Sequence, residues 1–367
     1  LDKKELETLI TNGIESTRYL AVDESRMLAD PARYYKGGKP DLQLFDKKLY
    51  EVNPDDKVAI ARAAAEEVLG KDERIISVDS SYSDGEGSSY RLISNGFEGE
   101  SKSTWFSVSA SVSIKGEGEA RPQDYWYDSA LFYDKLTKTG IGAKALERVL
   151  RKLGQKKAKS GKYTMVVDPM NVGNLLSPML SALYGSALQQ KNSFLMDKLD
   201  TKVASDLFTL RDEPHAIGAN GSRYFDNEGV ATEPRTVFDK GVLKTYFIDT
   251  YNGKKMDIAP TISAPSRLIL TPGDKDLNGL VADIKQGILV TGFNGGNSNS
   301  STGDFSYGIE GFLIEDGKLT QPVNEMNVTG NMVTLWNSLV AVGNDPQPNR
   351  SWQIPSLVFE GVDFSGL

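Results

Sequence analysis

The chain has 367 residues, 50 acidic against 42 basic side chains, a net charge of −8, a single histidine and no cysteine. That inventory rules out disulfides, thiolate metal knuckles, cysteine nucleophiles and a conventional zinc hydrolase site built by this chain alone, and the acidic balance is the opposite of a nucleic-acid binder's basic footprint. No window approaches the ~18 consecutive apolar residues of a membrane helix, and the opening LDKKELETLI lacks the apolar run of a secretion signal, so the cytoplasm is the expected compartment.

The length exceeds the ~100–200 residues typical of one domain, which predicts two. Leu1 reads as entering a helix midway, so a segment upstream of it is expected. Asn53, Pro54, Asp55 and Asp56 form a helix start ahead of VAIARAAAEEVL, and Gly70 offers the stop. RIISVDSSYSD, SYRLISNG and STWFSVSASVSIKG then alternate apolar with small polar residues, which predicts half-buried antiparallel strands continuing through DYWYDSALFY. Ile141, Ala145, Leu146, Val149, Leu150 and Leu153 recur at helical spacing, with Gly154 as a stop. The basic stretch from Arg148 to Lys162 reads as the solvated face and end of this helix. Residues 1–155 are thus expected to form a helix-flanked antiparallel sheet. The polar QKKAKSGK marks a boundary, and residues 156–367 should form a mainly β domain in an α+β protein.

In that second part YTMVVDP predicts a short strand, and Leu175, Leu176, Met179, Leu180, Leu183, Tyr184 and Ala187 predict one helix between Asn171 and Leu188, bent or delayed by Pro178. RYFDNEGV, TVFDKGVLKTYFID, GILVTGF, YGIEGFLIEDGKLTQPV and PSLVFEGVDF read as strands with turns. FDKGVLKTYF and LIEDGKLTQPV each read as a hairpin.

Candidate chemistry is sparse. His215, close to Asp212 and Glu213, is explained as well by a turn beside Pro214 as by a metal or acid-base role. No GxSxG elbow accompanies it. Asp226, Glu228, Asp239 and Asp249 could hold a hard cation, yet their spacing matches no cation loop. GFNGGNSNSSTGDFSYGIEG lacks the Lys-Ser/Thr ending of a phosphate loop. It reads either as a bulged hairpin tip or as a sheet edge open to an extended peptide, because glycine removes the side chain that blocks backbone approach.

Taken together, SALYGSALQQKNSFL, YFDNEGV, TVFDKGVLKTYFIDTYNGKKM, the glycine-rich segment, LVAVGND and IPSLVFEGV closely resemble the TldD/PmbA family from about Ile14 to the C-terminus. The resemblance implies one of two types: TldD-type zinc peptidases with an HExxxH helix, or PmbA/TldE-type partners without it. Against the TldD pattern LHEAVGH, LSALYGS places Ser181 and Ser186 at the histidines and Ala182 at the glutamate. A Cys-Gly-Lys stretch of TldD types is also missing after VGND. The resemblance therefore implies a PmbA/TldE-type pseudoenzyme with no catalytic residue, metal or cofactor of its own. It would form a heteromeric complex with a zinc-bearing TldD-type paralogue, in proteolysis of peptides or unfolded segments. The family also carries the label modulator of DNA gyrase. Gly292, Phe293, Gly295, Gly296, Ser301, Gly303, Asp304 and Ser306 are the candidate peptide or interface segment. The alternative is a stand-alone peptide-binding or chaperone-like module.

Overall fold

The structure, a computed structural model, describes residues 2–367. Helix α1 (Lys3–Thr17) begins with Asp2 as N-cap, the Asp2 and Glu5 side chains each accepting the other's backbone N–H. The expectation that Leu1 enters a helix midway lies outside the described residues. Asn53 caps α2 (Pro54–Glu66), as its sequence predicts. The two segments expected as separate strands are one continuous strand, β1 (Ile75–Ile93), paired along its length with β2 (Phe97–Ile114). Glycines in an antiparallel ladder weaken it locally but leave its hydrogen bonds intact. Strand β3 (Gln123–Ala130) completes this antiparallel sheet, and α3 (Ile141–Leu150) packs on it with α2. Period-two alternation on β2 sends Phe106, Val108, Ala110, Val112 and Ile114 under the helices, where they meet Ala64, Val68, Ala145 and Val149.

The remainder begins with β4 (Gly161–Val167), α4 (Gly173–Ser181) and α5 (Gly185–Gln189). A small sheet is built from β5 (Leu210–Asp212), β6 (Arg235–Asp239), β7 (Val242–Leu243) and, after α6 (Thr250–Met256), β8 (Leu268–Leu270). Then come α7 (Leu277–Ala282), β9 (Gln286–Ser298), β10 (Asp304–Glu315), β11 (Lys318–Asn331), α8 (Met332–Asn337), β12 (Leu339–Val342), β13 (Trp352–Gln353) and β14 (Leu357–Ser365). The large sheet runs β11-β10-β9-β4-β14-β12, and a further pairing of β11 with β14 closes five of its strands into a ring. Its main core includes Met165, Leu176, Met179, Phe208, Ile288, Trp336 and Phe359. Ala29, Tyr34 and Phe97 join this core, so the tip of the β1–β2 hairpin is embedded in the second half of the chain. The class is α+β.

Both expected hairpins form. Lys240–Gly241 and Asp316–Gly317 turn with positive φ at both residues (46° and 76°; 47° and 74°), the conformation that two-residue hairpin turns demand. RYFDNEGV, expected as a strand, keeps only two isolated bridges, Phe225 with Ala231 and Val230 with Tyr34. The single helix expected over 171–188 is two helices: α4 passes through Pro178 and stops at Ser181. Backbone at Leu183 and Gly185 instead bonds Phe247 on both sides (2.9 and 2.8 Å). Tertiary pairing overrides the apolar stripe here. No described helix is long and apolar enough to cross a membrane.

Candidate functional site

Residues five apart on a continuous α-helix lie ~140° apart around its axis, so positions 181 and 186 share a side only if the helix breaks between them. The helix does break between them, at Ala182–Tyr184. Ser181 and Ser186 are both exposed, whereas Ala182 is buried. The residues present do not fit a zinc ion, because hydroxyls and a methyl replace imidazole and carboxylate donors. Among the described residues no group of three or more His, Asp or Glu converges as a metal cage.

The glycine-rich segment is the β9–β10 hairpin, with register shifts at Tyr307/Ile309 and Glu310/Gly311. Its glycines are steric necessities: a Cβ at Gly296 would stand 2.1 Å from the Ser306 carbonyl oxygen, and one at Gly311 1.8 Å from that of Leu289. Phe293 packs edge-on against Tyr307. Ser301 and Gly303 lie at the tip, while Asp304 and Ser306 open β10. Hydrogen bonds from Asn331 and Thr302 hold the Asp304 carboxyl below its ordinary range. On its other side, β9 pairs with β4 only over Gly287–Val290. Beyond that, Gly292 to Ser298 have no strand partner there among the described residues. The bulged hairpin and the open edge are therefore one object.

A short segment to which the sequence assigns no role of its own, Asn192–Phe194, joins the two candidate regions. Ser193 Oγ donates to the Ala182 carbonyl (2.6 Å), Asn192 Oδ1 accepts from the hydroxyls of Ser300 and Ser301, and the Phe194 N–H donates to Ser300 O (2.9 Å). Hydrogen bonds through this segment thus connect the helix break to the hairpin tip.

The basic stretch expected as a solvated helix face is half wrong. Arg148 and Lys152 are largely buried, their side chains 15% and 10% exposed. Lys152 Nζ reaches Glu310 Oε1 (2.7 Å), Asp124 Oδ2 (3.2 Å) and the Gln123 carbonyl (3.0 Å), and Arg148 Nε reaches Asp124 Oδ1 (3.2 Å). These charges tie α3 and β3 to β10. They also floor a groove of about 370 Å³ that runs along Thr291, Gly292, Phe293 and Asn294. At one end Asp168, buried, accepts from the backbone and side-chain N–H of Asn171 (3.0 and 2.7 Å), and Asn171 also donates to Thr291 O (2.8 Å). Burial pushes the Asp168 carboxyl up to about 6, against the pull of those Asn171 bonds.

The remaining candidates are either engaged within the fold or exposed. His215 Nε2 donates to Thr232 Oγ1 (3.0 Å) and its ring packs on Tyr224; burial, with Lys39 nearby, holds it below its ordinary value. Asp212 accepts from the Ser266 and Arg267 N–H groups, and Asp226 from those of Glu228, Val230 and Ser263. Glu228, raised by burial, holds Thr250, and Asp249 caps α6. Asp239 is exposed beside the β6–β7 turn.

Residues 160–366 match the family model described as PmbA/TldA metallopeptidase C-terminal domain, and residues 47–153 that of the PmbA/TldA metallopeptidase central domain. A metalloprotease PmbA homologue of Haemophilus influenzae is 29% identical over 372 residues, covering 98% of this chain and 81% of that protein. A Bacteroides thetaiotaomicron crystal structure described as a candidate modulator of DNA gyrase is 73% identical with a TM-score of 0.99, covering 100% of this chain and 84% of that one. The structure of TldE from Thermococcus kodakarensis, 22% identical, shares the fold at a TM-score of 0.82 over 100% of this chain and 86% of its own.

Proposed function

This chain belongs to the PmbA/TldD metallopeptidase family, and we propose that within it the chain is a non-catalytic, PmbA/TldE-type subunit of a cytoplasmic peptidase. A TldD-type paralogue would carry the zinc and cut peptides or unfolded segments. The observation that carries this reading is the α4–α5 break, where Ser181, Ala182 and Ser186 offer nothing to bind zinc or to deprotonate its water. A framework kept without its chemistry is retained for binding. The same reading treats residues 1–155 and 156–367 as the two domains, supported by the separate cluster under α2 and α3.

The open edge of β9 favours a second reading, a stand-alone module that adds an extended peptide to its sheet. Co-expression separates the two. With a tagged TldD-type paralogue, the chain is expected to co-elute at both low and high salt, as an interface of at least ~1,000 Å² with an apolar centre would. Peptide cleavage should then require both chains. Alone, the chain should hold no stoichiometric zinc and cleave nothing. Failure to co-elute at either salt, with cleavage unchanged when this chain is omitted, sinks the subunit reading and leaves the module.

A further inference from the structure

The groove beside Gly292 is more than a gap in the sheet. Strand β4 occupies the outer side of β9 as far as Val290, and then the chain turns away through Asp168 and Asn171. The space that a longer β4 would fill, alongside Thr291 to Asn294, is this groove. Beyond it the edge is bulged at Gly295 and Gly296, both at positive φ, so the stretch of edge suited to regular pairing is the one facing the charged floor.

On that floor Lys152 has three acceptors, Glu310, Asp124 and Gln123 O. Arg148 differs. Its Nε is held by Asp124 and its guanidinium lies 5.6 Å from the Trp126 ring centroid, yet among the described residues its terminal Nη1 and Nη2 have no hydrogen-bond partner. Asp124 and Glu310 balance the two cations, and the buried Asp168 carboxyl also lies within electrostatic reach of Arg148, so net positive charge is not what the groove offers. What it offers is a pair of parallel donors on a plane already oriented by Asp124, the geometry that binds a carboxylate through two bonds at once. A peptide strand running antiparallel to β9 brings its C-terminal end to Thr291 and Gly292.

We propose that Arg148 binds a carboxylate of an extended peptide lying along the β9 edge, either the C-terminal carboxylate or a terminal acidic side chain. This rests on the reading of that edge as a peptide-binding strand. The test is fluorescence anisotropy of the full chain with dye-labelled hexapeptides of alternating threonine and valine. One ends in a free carboxylate, one in an amide, and one in an amidated glutamate.

At least one carboxylate peptide should bind about tenfold more tightly than the neutral amide, as loss of a charge-assisted bidentate pair predicts, and which one identifies the source. Arg148→Met should bind all three alike. Arg148→Lys, which keeps the charge facing Asp124 but not the fork, should retain only a small part of the preference, and its melting temperature guards against a folding artefact. Equal binding of all three peptides to the unaltered chain overturns the carboxylate site while leaving the edge intact. Absence of binding by any of them overturns both, and a preference that survives Arg148→Met overturns the role of Arg148.

Discussion

Replacing Lys152 by methionine should destabilise the chain far more than an ordinary lysine substitution. The side chains of Lys152, Asp124 and Glu310 are 10%, 6% and 16% exposed, so little solvent is on hand to compensate a lost partner. In Lys152→Met, Asp124 keeps Arg148, but Glu310 becomes a largely buried charge with no cation. Breaking such a pair from one side costs about 3–5 kcal/mol, and the surviving Arg148 contact places this case near about 3. With an unfolding entropy of about 2.1 cal/mol/K per residue, the 367 residues give roughly 0.8 kcal/mol/K. A cooperative melt should therefore shift down by about 4 °C. The assay is calorimetry with parallel urea unfolding, and the internal control is Lys144→Met, whose pair with Glu147 is exposed on both sides and should cost under about 0.5 kcal/mol. Lys152→Met combined with Glu310→Leu removes the stranded charge and should recover much of the loss. A Lys152→Met no worse than Lys144→Met, or a double variant that is simply additive, would show that the junction is not held by these charges.

Asp168 has a folded pKa of about 6, above its unfolded value, so the native state binds its proton more tightly. Stability from this group is then fully present below about pH 4 and is lost as pH rises toward 6, by about 3 kcal/mol over some two pH units. Asp168→Asn, which keeps an acceptor for Asn171, should flatten that part of the melting-temperature profile and raise stability at pH 8; an unchanged profile refutes the assignment. Gly311→Ala, forced against the Leu289 carbonyl, should cost more than about 3 kcal/mol, whereas Gly295→Ala meets open space and should cost only the ~1 kcal/mol of its left-handed backbone. Equal losses in urea unfolding would contradict the bulge geometry. At the helix break, Ser181→His and Ser186→His should be nearly neutral because both sites are exposed. Ala182→Glu should cost several kcal/mol by burying a carboxylate, and a neutral result there would show that the segment is free to repack.

Much of the local structure was legible in the residues. Asn53 with Pro54 announced α2, the alternation from Phe106 to Ile114 announced a half-buried strand, and Lys240–Gly241 and Asp316–Gly317 announced their hairpins, because each signal lies within a few residues of what it specifies. That Ser181, Ala182 and Ser186 carry no imidazole or carboxylate was equally readable, being a matter of which atoms are present. Three features were not. The stripe from Leu175 to Ala187 reads as one helix, and only the pairing of Leu183 and Gly185 with Phe247 breaks it. The bridge through Asn192, Ser193 and Phe194 exists because Ser300 and Ser301 arrive from more than a hundred positions away. Arg148 and Lys152 look solvated on a helix whose exposed face is otherwise polar, until β10 brings Glu310 across a separation of 158 residues. Periodicity and capping follow from bonds between near neighbours, which the sequence states directly. Whether a cation is buried, or an edge left open, depends on which distant strand arrives beside it, and only the closed sheet decides that.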